Sequence, residues 1–164
     1  GEALYGIREE LPTYRGQNEQ SMALAAVGFA KAKRRRQIMI ATSSIGPGAL
    51  NMVTAAGTAH ANRLPVLLIA GDTFNNRLPD PVLQQVEHFN NPTVTVNDAF
   101  KSVTRYWDRI THPAQILQSL PAALAAFMEP ALMRSSKETI SALMKPRWKS
   151  VWITPAACGA VQPL

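Results

Sequence analysis

The sequence contains little that could build a disulfide framework, a metal cluster or a membrane span. Its single cysteine, Cys158, excludes an internal disulfide and leaves no cluster of metal ligands. No window reaches about 18 consecutive apolar residues, the length that a membrane-spanning helix needs. The start, GEALYGIREE, lacks the basic residues and apolar run of a secretory signal, and no initiator methionine is present. We therefore expect a soluble, cytoplasmic domain whose chain begins inside a longer protein.

Positive charge is concentrated towards the C-terminus. The formal net charge is +6, yet residues 1–130 hold twelve Lys and Arg against ten Asp and Glu, whereas residues 131–164 hold five against one. The other dense basic run comprises Lys31, Lys33, Arg34, Arg35 and Arg36. We interpret this run as the solvated end of a helix, where the helix dipole favours cations. A phosphate-binding patch is the alternative, but no aromatic stacking platform accompanies the run, and we expect no nucleic-acid partner.

The first half of the chain has the pattern of a parallel α/β domain. Apolar spacing and breaker residues predict a helix over residues 2–10, an edge strand over 13–17, a helix from 19 to about 33, a strand over 37–42, a helix over 49–61 and a buried strand over 65–70. Asn18 is the expected N-cap of the second helix. The expected buried face of that helix is Met22, Ala25, Ala26, Phe29 and Ala30. Alternating helices and strands in this order predict parallel strands joined by crossover helices.

The second half of the chain is less regular. We predict a short helix at Val82–His88 and, within residues 93–107, a strand over part of the segment. His112-Pro113 should open a further helix, which Pro130 ends. Its expected buried face is Ile116, Leu117, Leu120, Leu124 and Phe127. Residues 131–164 form an atypical basic tail in which only Val151–Ile153 is a candidate strand, and a shifted reading frame or disorder would explain its composition.

Two segments follow strands, at the sheet edge where α/β proteins bind ligands. The first runs from Thr42 to Asn51, where Gly46 and Gly48 permit close backbone approach to a ligand. A tight strand-to-helix turn would explain the same glycines. The second is Gly71-Asp72, which we interpret as a structural turn. Glu19, in the first turn of its helix, would by itself be interpreted as a partner of the helix dipole.

Three motifs together resemble the thiamine-diphosphate enzyme superfamily, and its acetolactate synthase-like branch in particular. They are Asn18-Glu19-Gln20 opening an alanine-rich helix, TSSIGPGALN after the next strand, and RLPVLLIAGD as the strand that follows. Longer segments, including RLPDPVLQQVE and FKSVTRYWDRI, are similar to the trihydroxycyclohexane-1,2-dione hydrolases of myo-inositol degradation. The resemblance runs almost without gaps over residues 1–130, and it implies that they form most of a pyrimidine-binding domain.

The resemblance implies a role for each matching residue. In the superfamily, the residue at the position of Glu19 hydrogen-bonds N1′ of the cofactor's aminopyrimidine and so activates the thiazolium carbon. The cofactor, thiamine diphosphate, would then serve hydrolytic cleavage of a carbon–carbon bond in a small cyclic dione. The other implied cofactor-binding residues are Gly46, Pro47, Gly48, Asn51 and either Gln84 or Gln85. Arg63, Arg77 and His88 are polar and near the motifs, but an ordinary surface role is the preferred interpretation of each.

Parts of the family pattern are missing from this chain. Family members place a strand before the segment that matches residue 1 and close the domain with a further strand, so we expect a domain incomplete at both ends. They also hold the diphosphate and Mg²⁺ on a separate domain with a Gly-Asp-Gly motif. Gly71-Asp72-Thr73 is not that motif, and no residue here is expected to bind metal. The chain would supply half of a site that forms between the subunits of a homo-oligomer, and alone it could be inactive.

Two other functions remain compatible with the sequence. One is a different acetolactate synthase-like lyase, which would share the motifs and differ in substrate. The other is a non-catalytic α/β module that binds a partner through its basic surfaces. The motif order favours the dione hydrolase over both.

Overall fold

A four-stranded parallel sheet forms the centre of the fold. The structure, a computed structural model, describes residues 2–73, 84, 86, 88, 90–127 and the backbone of 151–153. The strands are β1 (Thr13–Arg15), β2 (Ile40–Ser43), β3 (Leu67–Ala70) and β4 (Val151–Ile153). Their order across the sheet is β1-β4-β2-β3, and every neighbouring pair is parallel. The predicted α/β class with a parallel sheet is confirmed.

Five α-helices accompany the sheet in the described residues. They are α1 (Glu2–Gly6), α2 (Glu19–Ala32), α3 (Pro47–Asn51), α4 (Val53–Ala61) and α5 (Ile116–Ala126). None of them is long and apolar enough to cross a membrane. The predicted first helix, over residues 2–10, is wrong in length. It ends at Gly6, and hydrogen-bonded turns such as Leu11 N to Ile7 O (2.8 Å) follow it.

The core lies between the sheet and the pair α2 and α4. Its buried members are mostly small and include Ala23, Ala41, Ala49 and Ala55 beside the larger Met22, Met52 and Phe100. Short alanine side chains let the two helices pack closely on the sheet. A smaller cluster on the opposite face joins Ile40 to Leu4, Leu11 and Leu67. Alternate residues of β2 thus serve the two faces, as the pleat of a strand requires.

The start of α2 agrees with the sequence, while its buried face is rotated from the prediction. Asn18 is the N-cap, and its side chain accepts a hydrogen bond from Ser21 N at 2.8 Å. The buried residues are Met22, Ala23, Ala26, Val27 and Ala30. Ala25 is exposed and Phe29 is only partly buried. Helical periodicity determines how many residues of α2 face the core, but the position of β2 and α4 decides which residues these are.

The predicted helix over residues 49–61 is two helices. Pro47 occupies the first turn of α3, so this helix starts earlier than predicted. Met52 separates α3 from α4, and its N–H bonds to Ala49 O at 3.0 Å in a tighter turn. Met52 is completely buried. The break therefore places a large apolar side chain in the core directly after the residues that form the loop.

β3 is less buried than its apolar sequence predicts. Leu67, Leu68 and Ala70 are partly buried, and Ile69 is 49% exposed. Within the described sheet β3 lies at an end and pairs with β2 alone. An edge strand covered on one face keeps part of its apolar surface accessible, which explains the difference.

Residues 90–127 contain no strand, so the strand expected within residues 93–107 is wrong. A 3₁₀ helix, Val96–Ser102, occupies this segment. Thr95 and Asp98 form a reciprocal capping box at its start. The Asp98 carboxylate accepts a hydrogen bond from Thr95 N at 2.8 Å, and the Thr95 side-chain oxygen accepts from backbone N–H groups of the first turn. The predicted helix at Val82–His88 lies largely outside the described residues. Gln84, which is described, has a φ of 69° that no right-handed helix accommodates.

The last described helix begins where the sequence predicts. His112 caps a short 3₁₀ turn, Pro113–Gln115, with Nδ1 accepting from Ala114 N at 3.2 Å, and this turn leads into α5. Its buried positions are Ser119 and Ala123, whereas Leu117 is 77% exposed and Ile116 is 42% exposed. The predicted buried face is therefore wrong at these two residues. The Ser119 hydroxyl bonds to the Asp108 carboxylate, which orients this face of α5 inward.

β4 is the candidate strand of the basic tail, and it lies inside the sheet. Trp152 pairs with Tyr14 of β1 on one side and with Ala41 of β2 on the other. The remainder of residues 131–164 and Pro130 lie outside the described residues. Whether that remainder is frame-shifted or disordered stays a hypothesis.

Candidate active site

The carboxyl edge of the sheet brings three segments together. The first turn of α2, the loop between β2 and α3, and the end of β3 all lie at this edge, because parallel strands end on the same side. Each segment carries a residue type that the sequence had singled out.

Glu19 is anchored to the end of α3 by an amide. Asn51 Nδ2 donates to Glu19 Oε2 at 3.1 Å, although the two residues lie 32 positions apart in sequence. Glu19 is partly buried and Asn51 is exposed. One carboxylate oxygen is thus held by a neutral donor, which orients the group without cancelling its charge.

Gly48 gives the Glu19 carboxylate its space. A Cβ at this position would lie 3.2 Å from Glu19 Oε1 and 2.7 Å from Ser44 Oγ. Any side chain would have to displace one of these polar atoms. Gly48 is itself buried, so the floor beneath the carboxylate is bare backbone. Only glycine permits this close approach of loop and acid.

Gly46 makes the second close approach in the loop. Its φ of 70° lies in the left-handed region, and a Cβ there would fall 1.7 Å from Gln84 O. Ser44 Oγ donates to Gln84 Oε1 at 3.0 Å. Gln84 is therefore brought to the loop by both its backbone and its side chain, whereas Gln85, the alternative, lies outside the described residues.

The end of β3 closes against the same loop. Gly71 N donates to Ser43 O at 3.1 Å, and a Cβ on Gly71 would lie 3.0 Å from Ile45 N. Pro47, Leu50 and Asn51 are exposed beside this junction. The site is consequently a polar, glycine-lined surface with one oriented carboxylate, open to solvent on one side.

These features coincide with a family match. The model of the thiamine pyrophosphate enzyme N-terminal TPP-binding domain matches residues 2–91, which is more than half of the chain. The chain belongs to this family. Thiamine pyrophosphate is the thiamine diphosphate of the sequence resemblance, and the recognition made from the motifs is confirmed.

Three similar proteins show which kind of enzyme the chain resembles within this family. The chain is 53% identical over 131 residues to a 3D-(3,5/4)-trihydroxycyclohexane-1,2-dione hydrolase of Geobacillus thermodenitrificans, and the alignment covers 80% of this chain and 20% of that protein. The hydrolase of Clostridium tetani gives the same identity and coverage. That of Bacillus cereus strain AH820 is 51% identical over the same length. The chain therefore spans about a fifth of the length of these hydrolases.

The two glycines let the loop pack closely around the acid. A Cβ at Gly46 would collide with Gln84 O, and a Cβ at Gly48 would crowd Ser44 Oγ and Glu19 Oε1. The donors and acceptors present are a carboxylate and side-chain amides, which suit an aminopyrimidine. The described residues contain no group of three or more His, Cys, Asp or Glu that could hold a metal ion.

A polar cluster that the sequence did not predict fixes the β3 end of this TPP-binding domain. Arg109 Nε donates to Asp72 Oδ2 at 2.8 Å, and Arg109 Nη2 lies 3.2 Å from Asp98 Oδ2. Arg109 Nη2 also donates to Thr95 Oγ1 at 2.8 Å, and Asn97 Nδ2 donates to Gly71 O at 2.8 Å. The interpretation of Gly71-Asp72 as a structural turn agrees with these contacts. No local signal links Asp72 to a partner 37 residues away.

The cluster also determines how its acids ionise. Burial alone would raise the pKa of Asp72, but hydrogen bonds from Arg109 and from its other neighbours hold that pKa below its usual value. The same balance, with Lys101 as the leading donor, lowers the pKa of Asp98. Burial would lower the pKa of Arg109, but the hydrogen bonds and charges of Asp72 and Asp98 outweigh burial and raise that pKa. The cluster is ionised at neutral pH, and its hydrogen bonds connect the turn after β3 to residues 95–109.

The remaining polar candidates are Arg63, His88 and Arg77. Arg63 follows the C-terminal end of α4, near Arg35 beyond the end of α2, at the opposite edge of the sheet. His88 is exposed, and its carbonyl accepts Asn91 N at 3.0 Å. Arg77 lies outside the described residues. The surface interpretation of Arg63 thus agrees with its position.

Proposed function

We propose that this chain supplies the pyrimidine half of a thiamine-diphosphate active site, with Glu19 as the activating carboxylate. The observation that carries the proposal is the Glu19 carboxylate, oriented by Asn51 at 3.1 Å above the bare backbone of Gly48. When bound, the cofactor supplies an electron sink for carbon–carbon cleavage. The residues of this chain bind and orient its aminopyrimidine ring.

The proposed role of Glu19 is to hold a proton against N1′ of that ring. Asn51 donates to Oε2, so Oε1 on the Gly48 side is the atom for the ring nitrogen. A hydrogen bond to an ionisable group is short and strong where water is excluded. In this chain the position is partly open, and a covering surface is needed to exclude water.

The loop residues would shape the binding surface. Gly46 and Gly48 shape the loop by their close approach to Gln84 and to Glu19, while Pro47 and Asn51 present exposed side chains at its rim. Gln84, tied to Ser44 at 3.0 Å, is the glutamine that approaches the ring. Gln85 remains the alternative for that role.

The wider assignment follows the names of the relatives. We propose that the complete protein hydrolyses a small cyclic 1,2-dione in myo-inositol catabolism, in the cytoplasm. The diphosphate and its Mg²⁺ would be held by a part of the protein other than the described residues, and the site would form between subunits of a homo-oligomer. Residues 1–130 would be the pyrimidine-binding domain and residues 131–164 a distinct basic tail.

Nuclear magnetic resonance can test the half-site directly on this chain. We expect thiamine, added in excess, to shift the side-chain amide of Asn51 and the backbone amides of Gly46 and Gly48. Glu19→Gln should abolish these shifts, whereas Glu9→Gln, which changes an exposed acid on a distant turn, should leave them intact. Shifts confined to other residues, or unaffected by Glu19→Gln, would contradict the proposal.

A calorimetric titration separates a half-site from a whole one. With thiamine diphosphate and Mg²⁺ we expect no tight binding to this chain, because the described residues offer the charged diphosphate no metal anchor. Sub-micromolar affinity would show that the chain holds a complete site. In a full-length relative, glutamine at the position of Glu19 should reduce turnover about 100-fold or more while the protein still folds.

A further inference from the structure

A second concave surface lies at the opposite edge of the sheet from Glu19. There α2 and α4 end side by side, and Arg35 Nη2 reaches Asn62 O across the two ends at 3.4 Å. The pocket between them has a volume of about 450 Å³ and is lined by Lys31, Arg34, Arg35, Asn62 and Leu64. Since α2 has 14 residues, the pocket is about 20 Å from Glu19. The two surfaces are therefore separate.

The segment that builds this pocket is uniformly cationic. Residues 20–71 contain no Asp or Glu. Their Lys and Arg residues all lie at or just beyond the ends of α2 and α4, and are Lys31, Lys33, Arg34, Arg35, Arg36 and Arg63. None of the ion pairs within the described part of the chain takes a cation from this group.

The helix dipoles explain only a small part of this charge. The C-terminal end of a helix carries the equivalent of about half a negative charge, so two ends attract about one cation. Six cations converge on these two ends. Most of the positive charge is therefore free to attract an anion from solution.

The backbone beside the pocket ends both helices in the left-handed conformation. Arg34, Arg35 and Arg63 have φ values of 50°, 62° and 54°, in the left-handed region that favours glycine or asparagine. Three of the four such non-glycine residues in the described chain belong to this cluster. The bonds from Arg35 N to Ala30 O and from Leu64 N to Ala59 O, both 2.9 Å, are those of Schellman-type helix ends, so this conformation ends the two helices and turns the chain beside the pocket.

We propose that this pocket binds a small polyanion of the pyrophosphate or polyphosphate class. Two guanidinium groups suit bidentate contacts to phosphate oxygens, and the Lys31 ammonium adds a point charge. The concave shape favours a compact ligand. No aromatic residue lines the pocket, so it lacks the stacking platform that single-stranded nucleic acids require. The inference is independent of the thiamine site.

Titration of inorganic pyrophosphate at low ionic strength tests the pocket. We expect saturable binding to the full chain, weakened about tenfold or more by Arg34→Gln with Arg35→Gln, since two charge-assisted contacts are lost. Arg8→Gln with Lys101→Gln removes the same charge from other surfaces and should change the affinity less than about twofold. If the glutamine variant folds poorly, Arg34→Gly with Arg35→Gly removes the cations and suits the left-handed backbone.

The outcomes separate this site from the thiamine site and from nonspecific attraction. Glu19→Gln should leave pyrophosphate binding unchanged. Absence of saturable binding, or an equal loss in the Arg8 and Lys101 control, would overturn the proposal. So would an oligonucleotide that binds through Arg34 and Arg35 while pyrophosphate fails to compete, because the surface would then recognise nucleic acid.

Discussion

The side-chain amide of Asn51 holds the carboxylate of Glu19 at 3.1 Å, and so connects the first turn of α2 to the end of α3. This contact joins two motifs that the sequence identifies separately. It also fixes which carboxylate oxygen faces Gly48. The geometry of the candidate site therefore depends on a pair of residues rather than on Glu19 alone.

Removal of the amide should weaken both the site and the fold modestly. We expect Asn51→Ala to lower the free energy of unfolding by about 1 kcal/mol. The effect is small because Asn51 is exposed, so water can replace its hydrogen bond to the carboxylate. Thiamine-induced shifts at Gly48 should also disappear. Asn62→Ala, which removes an exposed amide donating to Thr58 O within α4, is the matched control for urea denaturation and should preserve the shifts. Retention of the shifts in Asn51→Ala would contradict the positioning role.

Alanine substitutions at Gly48 and at Gly28 should change the stability of the chain in opposite directions. A Cβ at Gly48 would meet Ser44 Oγ at 2.7 Å and Glu19 Oε1 at 3.2 Å, so we expect Gly48→Ala to destabilise by about 1–3 kcal/mol. A Cβ at Gly28, within α2, meets nothing within 4 Å. Gly28→Ala should stabilise by about 0.5–1 kcal/mol through helix propensity. Thermal unfolding of both variants measures the contrast, and equal effects would rule out crowding at Gly48.

Arg109 should be the most sensitive charged residue of the described chain. Arg109→Met leaves Asp72 and Asp98 without their shared partner, and these side chains are only 22% and 18% exposed. We expect a loss of about 2–4 kcal/mol in the free energy of unfolding. Lys101→Met removes the more exposed partner of Asp98 and should cost less than about 1 kcal/mol. Comparable losses in the two variants would show that Arg109 has no special role.

The same cluster should make stability depend on acid pH. Asp72 and Asp98 have pKa values below the ordinary 3.8 in the folded chain. Their stabilising contribution is complete above the unfolded pKa and is lost as pH falls through the folded pKa. We expect urea midpoints to fall steeply below about pH 4 in the unmodified chain and less steeply in Arg109→Met. Parallel pH profiles would exclude the cluster as the cause.

The position of β4 predicts a backbone effect. Trp152 lies between two parallel neighbours, where proline would remove a hydrogen-bond donor from a central strand. We expect Trp152→Pro to destabilise by about 3 kcal/mol or more relative to Trp152→Thr, which keeps the N–H. Circular dichroism during urea unfolding measures both. Equal stability of the two variants would show that residues 151–153 contribute no strand.

The sequence by itself determined the elements whose signals are local. Asn18 capping α2, His112-Pro113 opening the last helix, and the glycines of the loop after β2 each follow from chemistry within a few residues. The role of Glu19 was inferred from the order of three motifs and stays a prediction. The capping and turn predictions succeed because these signals act over one or two turns of chain.

Only the tertiary structure decided which distant residues meet. The partnership of Asp72 with Arg109, the exposure of Ile116 and Leu117, and the insertion of β4 between β1 and β2 have no local signature. Lys31 and Arg63 likewise become part of one cationic surface only because α2 and α4 end together. Such contacts arise from how helices and strands pack, and packing depends on the shape of the whole core rather than on any single segment.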